Sequence, residues 1–211
     1  MEPNQAAEHL QTIRTLMERT AIYRRALAPV MTYCGMVGIL GGVVGDWLPL
    51  HAARPFVLFW TAVAITALTG SFLLVRRQAL KDSEPFWSPP TRRVTQALIP
   101  GLVVGVLSGL ILMYANPDWN DCWSIVPVWC VLFGLAVHSA GFFMPHGLKL
   151  FGWIFMVAGC SLVVVLGGKM INPISAALVF QPHWLMGAIF GGLHLAYGIY
   201  LYFTEKRGQA L

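Results

Sequence analysis

Two histidines at membrane depth are the residues of this 211-residue chain whose type and setting point to chemistry. His138 lies in a run that places Pro127, Cys130, Gly134, His138, Gly141 and Pro145 on one helical face. His194 lies in the last apolar run, 182–207. There a regular helix at 100° per residue gathers His183, Gly187, Gly191, His194, Gly198 and Glu205 into a strip about 80° wide. An ionisable side chain within a membrane faces the bundle interior or a wet cavity. Glycine at either side of it lets a flat ligand or another backbone come close. The reading is a cavity shared between the fourth and sixth spans, with His138, His194, Gly134, Gly141, Gly191, Gly198, His183 and Tyr197 as candidate ligand-binding residues. The competing reading is that each imidazole bonds a neighbouring carbonyl and fixes packing.

Paired imidazoles framed by small residues also suit a b-type haem. Measured from the outer span ends, His138 lies 16 residues beyond Cys122 and His194 lies 11 beyond His183. At 1.5 Å per residue their depths differ by about 7 Å, which tilt must absorb. His183 and His194 are about 16 Å apart along one helix, too far to share one iron. Haem is therefore the alternative, and no cofactor is the leading expectation. A metal site drawn from Asp46, His51, Asp118, Asp121 and His183 lacks helical ligand spacing such as HxxxH. There is no HExxH, GxSxG or P-loop, and no Asp or Glu at the middle of any span, so the chain reads as non-enzymatic.

The elements that must position these residues follow from composition. The chain is 57% hydrophobic and 11% charged, far from the soluble average. The fold class is an all-α membrane protein, a six-transmembrane-helix bundle over 26–207, with spans at about 26–48, 55–75, 94–115, 123–143, 148–168 and 183–204. Period-2 alternation is absent, which argues against a barrel. Residues 1–25 precede it as an N-terminal interfacial amphipathic helix, with Leu10, Ile13, Leu16, Met17 and Ala21 along one side. Acidic Glu2 and Glu8 and a late first apolar run do not read as a cleavable signal.

Charge sets the orientation. Twelve basic residues fall on one side of the spans, and only Arg54 and Lys169 on the other, so both termini are expected in the cytoplasm. Trp47, Trp119, Trp123 and Trp184 form the outer aromatic belt. The net charge of +5 is thus a topological signal, and nucleic acid is not an expected partner. The cytoplasmic connection 76–93 carries five basic residues against Asp82 and Glu84. It reads as a grip on anionic lipid headgroups or, alternatively, a protein-docking loop. Cys34, Cys122, Cys130 and Cys160 show no paired spacing and no disulfide framework. Gly101, Gly105 and Gly109 on the third span, and Gly38, Gly42 and Gly45 on the first, are packing seams. A short echo, Arg24-Arg25 against Arg92-Arg93, each opening a glycine-rich span, hints at growth from two-helix units.

Taken together, the sequence reads as a multi-pass protein of a bacterial inner membrane that binds a small, apolar or weakly polar molecule between spans four and six for sensing or passage. A homodimer would suit transport, because six spans are few for alternating access. The further alternatives are a haem-bearing redox subunit and a purely structural partner subunit.

Overall fold

In the computed structural model, residues 27–48, 50, 52–81, 86–87, 89–115, 122–144, 146–167 and 181–209 are described. The expected interfacial helix of residues 1–25 lies outside them. The described residues are helical, with no strand among them. The helices are α1 (Leu27–Trp47), α2 (Ala53–Lys81), α3 (Pro89–Ala115), α4 (Ile125–Ala140), α5 (His146–Gly167) and α6. The last is continuous but changes its winding, from α at Pro182–Met186 to π at Gly187–Gly192 and back to α at Leu193–Gln209.

Five of these helices are long and apolar enough to cross a membrane. The exception is α4, at 16 residues, about 24 Å against a hydrocarbon core of about 30 Å. Its expected range, 123–143, was too long. The chain leaves the helix at Gly141 and turns before Pro145, with Phe143 N–H bonded to the Ala140 carbonyl at 3.0 Å. The expected connection 76–93 is also corrected. Arg76, Arg77 and Lys81 belong to α2, and Arg92 and Arg93 belong to α3. Pro89 and Pro90 start α3, because the first turn needs no N–H from them.

Large apolar side chains cover the outside, among them Leu40, Ile65, Leu73, Ile111, Leu150, Val164 and Phe203. Water would not tolerate that surface on a folded monomer, and hydrocarbon would. Hydroxyls inside the helices bond back to their own helix: Thr32 to Ala28 O, Thr61 to Val57 O, Ser71 to Ala67 O and Thr95 to Thr91 O, at 2.7–2.9 Å. These observations mark the chain as a multi-pass membrane protein.

Two apolar layers fill the interior. One gathers Leu27, Met31, Val137, Leu148, Phe151, Phe155 and Leu201. The other gathers Phe56, Trp60, Ile125, Val126, Cys130 and Met186. Ile189 and Phe190, in the π turn, pack against both.

Backbones meet along two seams. On the first, α1 faces α6 residue by residue. Gly45 lies against the His183 ring, Gly42 against Gly187, Gly38 against Gly191, Gly35 against Leu195, and Thr32 against Gly198. One index rises as the other falls, so the pair runs antiparallel. A Cβ on Gly191 would stand 2.5 Å from the Ile39 amide nitrogen. On the second seam, Gly134 lies against the Gly152 carbonyl, and Gly159 against the Pro127 carbonyl, which locks α4 to α5. Gly105 of α3 differs, with open space where its Cβ would be.

This contrast generates a prediction. Gly191→Ala should lower stability by about 1–3 kcal/mol, because backbone cannot yield as a side chain would. Gly105→Ala should be neutral or stabilise by up to about 1 kcal/mol through helix propensity. Thermal unfolding of both variants in one detergent checks it, and equal melting points would remove the seam as the source of α1–α6 cohesion.

Candidate functional site

The three histidines singled out in the sequence occupy three separate settings. His183 is 1% exposed, at the first turn of α6. The indole Nε1–H of Trp60 donates to its Nδ1 at 3.1 Å. Its Nε2–H donates to the Leu50 carbonyl at 3.2 Å. An indole only donates and a carbonyl only accepts, so the two bonds fix a neutral ring with its proton on Nε2. Phe56 and Phe59 pack on the same ring at 4.8 and 5.8 Å between centroids. The ring is therefore a buried clamp joining α1, α2 and α6. Both of its nitrogens are engaged, which removes it as a ligand for anything else.

His138 lies near the other end of α4, half-buried. Its Nδ1–H donates to the Lys149 carbonyl at 3.3 Å, and Phe142 and Trp153 stand edge-on at 5.4 and 5.6 Å. Lys149 Nζ sits 3.9 Å above the Phe142 ring. This histidine ties α4 to α5, as the packing reading expects.

His194 has a different environment. It is 7% exposed, and its Nδ1–H donates to the Phe190 carbonyl one turn earlier. Phe133 of α4 and Phe151 and Phe155 of α5 surround the ring at 5.3, 5.0 and 5.5 Å. Tyr197 stacks on Phe151 at 4.8 Å and borders the same cage. With Nδ1 donating, a neutral ring leaves Nε2 a bare acceptor. No described residue bonds it.

The winding of α6 puts His194 there. On a regular helix it shares the glycine strip, but the π turn inserts an extra residue and sets everything after it back by about 100°. The face toward α1 becomes His183, Gly187, Gly191, Leu195 and Gly198. Three successive steps of four would drift about 120° round a regular helix, and the wide turn absorbs most of that. His194 is thereby turned from α1 toward the aromatic rings of α4 and α5. The adjacent Gly191-Gly192 pair suits this, because no Cβ obstructs the altered winding.

The structure thus brings His194, Tyr197 and span four together, through Phe133 rather than through glycines. Gly134 and Gly141 serve the α4–α5 contact, against Gly152 and Lys149, while Gly191 and Gly198 serve α1. Each of these glycine faces is filled by a neighbouring helix. Among the described residues no group of three or more His, Cys, Asp or Glu is placed to hold a metal. Sequence reasoning missed Trp60 and the three phenylalanines. A tryptophan inside an apolar span, whose N–H must find an acceptor, was the available signal for the first.

The His183 clamp is testable. Trp60→Phe removes the donor and leaves a buried acceptor unpaired, which should cost about 1–3 kcal/mol. Adding His183→Phe should recover part of that loss, because removing both partners is cheaper than removing one. A thermal double-mutant cycle measures the coupling, and strictly additive losses would show that the bond contributes nothing.

No family model, curated protein or solved structure matches the chain, so what it does must be argued from its own residues.

Proposed function

We propose that the protein is a six-span, non-enzymatic membrane protein of a bacterial inner membrane that binds a small, weakly polar molecule at His194, between α4, α5 and α6. The observation that carries the reading is the bare Nε2 of His194, a buried acceptor inside a cage of phenylalanines with no described partner. Leaving such an atom unpaired costs about 1–3 kcal/mol, and a ligand O–H or N–H would recover it. Sensing or passage follows from that binding.

The sixth crossing is α4. The antiparallel course of α1 and α6 supports it, because a chain with five alternating passes would run its first and last helices parallel. The twelve-to-two basic asymmetry then puts both termini in the cytoplasm. A reporter fused at Gly208 should be active only as a cytoplasmic reporter, and alkaline-phosphatase activity there would overturn the topology.

A structural-subunit reading is favoured by the other two histidines, both of which are engaged in packing. His194→Phe separates the two. It keeps the aromatic cage but removes the acceptor, so a folded variant should lose the molecule that the wild type carries through purification. Mass spectrometry of solvent extracts, beside thermal unfolding, reads both. Identical extracts from the two proteins would leave His194 as packing, and a Soret band in the wild type would replace the proposal with haem.

A further inference from the structure

We infer that the place where α4 turns into α5 is a seat for an anionic phospholipid, with the Lys149 ammonium taking its phosphate and Trp153 and Val157 taking an acyl chain. At 22 residues α5 is about 33 Å long, little more than the hydrocarbon thickness of about 30 Å. Its apolar stretch begins at Gly147, so Lys149 stands at the edge of the hydrocarbon rather than out in water. The turn beside it offers no polar cap, because Phe142 and Phe143 there are 63% and 48% exposed.

Printed contacts hold the parts of the seat together. His138 Nδ1–H donates to the Lys149 carbonyl, and the His138 ring meets both Phe142 and Trp153. Lys149 Nζ reaches back to the Phe142 ring, 3.9 Å from its centroid. Gly141 leaves room for the lysine stem, since a Cβ there would stand 2.7 Å from Lys149 Cγ. Trp153 follows one helical turn along α5 and about 40° round it, and Val157 one turn and about 40° farther. Both are more than half exposed. The ammonium thus heads an apolar track on the outside of α5.

What the lysine lacks is an anion. Among the described residues no carboxylate pairs with it. Glu205 is eight residues beyond Tyr197, whose hydroxyl lies against Gly147, and so about 12 Å farther along α6. A ring face attracts an ammonium but gives its three N–H groups no acceptor atom. A lipid phosphate supplies charge and acceptors at the depth to which a snorkelling amine rises, and an indole one turn deeper suits the chain region just beneath. Free phosphate has the same headgroup chemistry but nothing to lay along Trp153 and Val157. This seat is independent of the His194 site.

The full chain, reconstituted in phosphatidylcholine vesicles containing a minor share of lipid with brominated acyl chains, tests this. Trp153 emission is isolated in each background as the difference made by Trp153→Phe. Brominated phosphatidylglycerol should be enriched beside Trp153 about fivefold over its share of the bilayer, the factor one engaged lysine contributes. Brominated phosphatidylcholine should quench at its bulk share. Lys149→Gln should abolish the preference while leaving quenching by phosphatidylcholine, which reports insertion, unchanged. Lys149→Arg and Arg77→Gln should both keep the preference. Equal quenching by the two lipids in the wild type, the result a snorkelling lysine or an acidic protein partner would give, overturns the seat. So does a preference that survives Lys149→Gln, one that is lost equally with Arg77→Gln, or no quenching by either lipid. Inorganic phosphate, compared with chloride at equal ionic strength, should leave the preference intact, and a loss specific to phosphate would make this a free-anion site instead.

Discussion

Close approach of backbone to backbone between α1 and α6 is the contact on which the rest of the bundle depends. In hydrocarbon there is no solvent force pressing two apolar helices together, so cohesion comes from packing distance and from hydrogen bonds. Glycines on both partners let the axes approach until main-chain atoms touch, from Gly45 against His183 to Thr32 against Gly198. Keeping that contact over four turns requires α6 to present the same side throughout, which a 3.6-residue winding cannot do with steps of four. The π turn at Gly187–Gly192 reconciles the two, and His194 is displaced toward α4 and α5 as a consequence. A demand of packing on one face of the helix thus creates the chemically distinct setting on another.

The same solvent explains the polar groups. With no water at hand, each donor and acceptor inside the spans must find a partner in protein. Threonines and serines turn back on their own helices, the Trp129 indole donates to the Gly105 carbonyl at 2.8 Å, and Trp60 donates to His183. Against that background of satisfied groups, one bare imidazole nitrogen among phenylalanines stands out. His183, as deeply buried, spends both nitrogens on packing, and His138, which spends one, is only half-buried.

Most of the architecture was legible because hydropathy and helix length act locally: the apolar runs appear as helices, and the glycine faces of α1, α4 and α6 do meet other backbones, whereas on α3 Gly105 faces open space and Gly109 the side chains of Trp129 and Val57. What was not legible depends on distant partners. A glycine stripe announces that something approaches, not what, so Gly134 and Gly191 read as two walls of one groove although each faces a different neighbour, α5 or α1. The wheel assumed 100° at every step and therefore grouped His194 with the glycines, since a π turn leaves no local mark beyond Gly191-Gly192. His183 read as one more member of the glycine strip because it falls on that face of the wheel. Its partner Trp60 is 123 residues away in sequence, beyond any periodicity argument.

The two seams also divide the molecule mechanically. α1 with α6, and α4 with α5, are joined backbone to backbone, and the aromatic cage around His194 lies where the pairs meet. By contrast, α2 is held unevenly. Its buried residues, Ala53, Phe56, Val57 and Trp60, all fall in the first two turns. Farther along it meets α1 through Tyr33 over Gly70 and through Cys34 and Ser71, 3.1 Å apart, with no residue fully buried. One end of α2 is thus fixed by the His183 clamp, while the opposite end, with Arg77 and Lys81, has little protein around it.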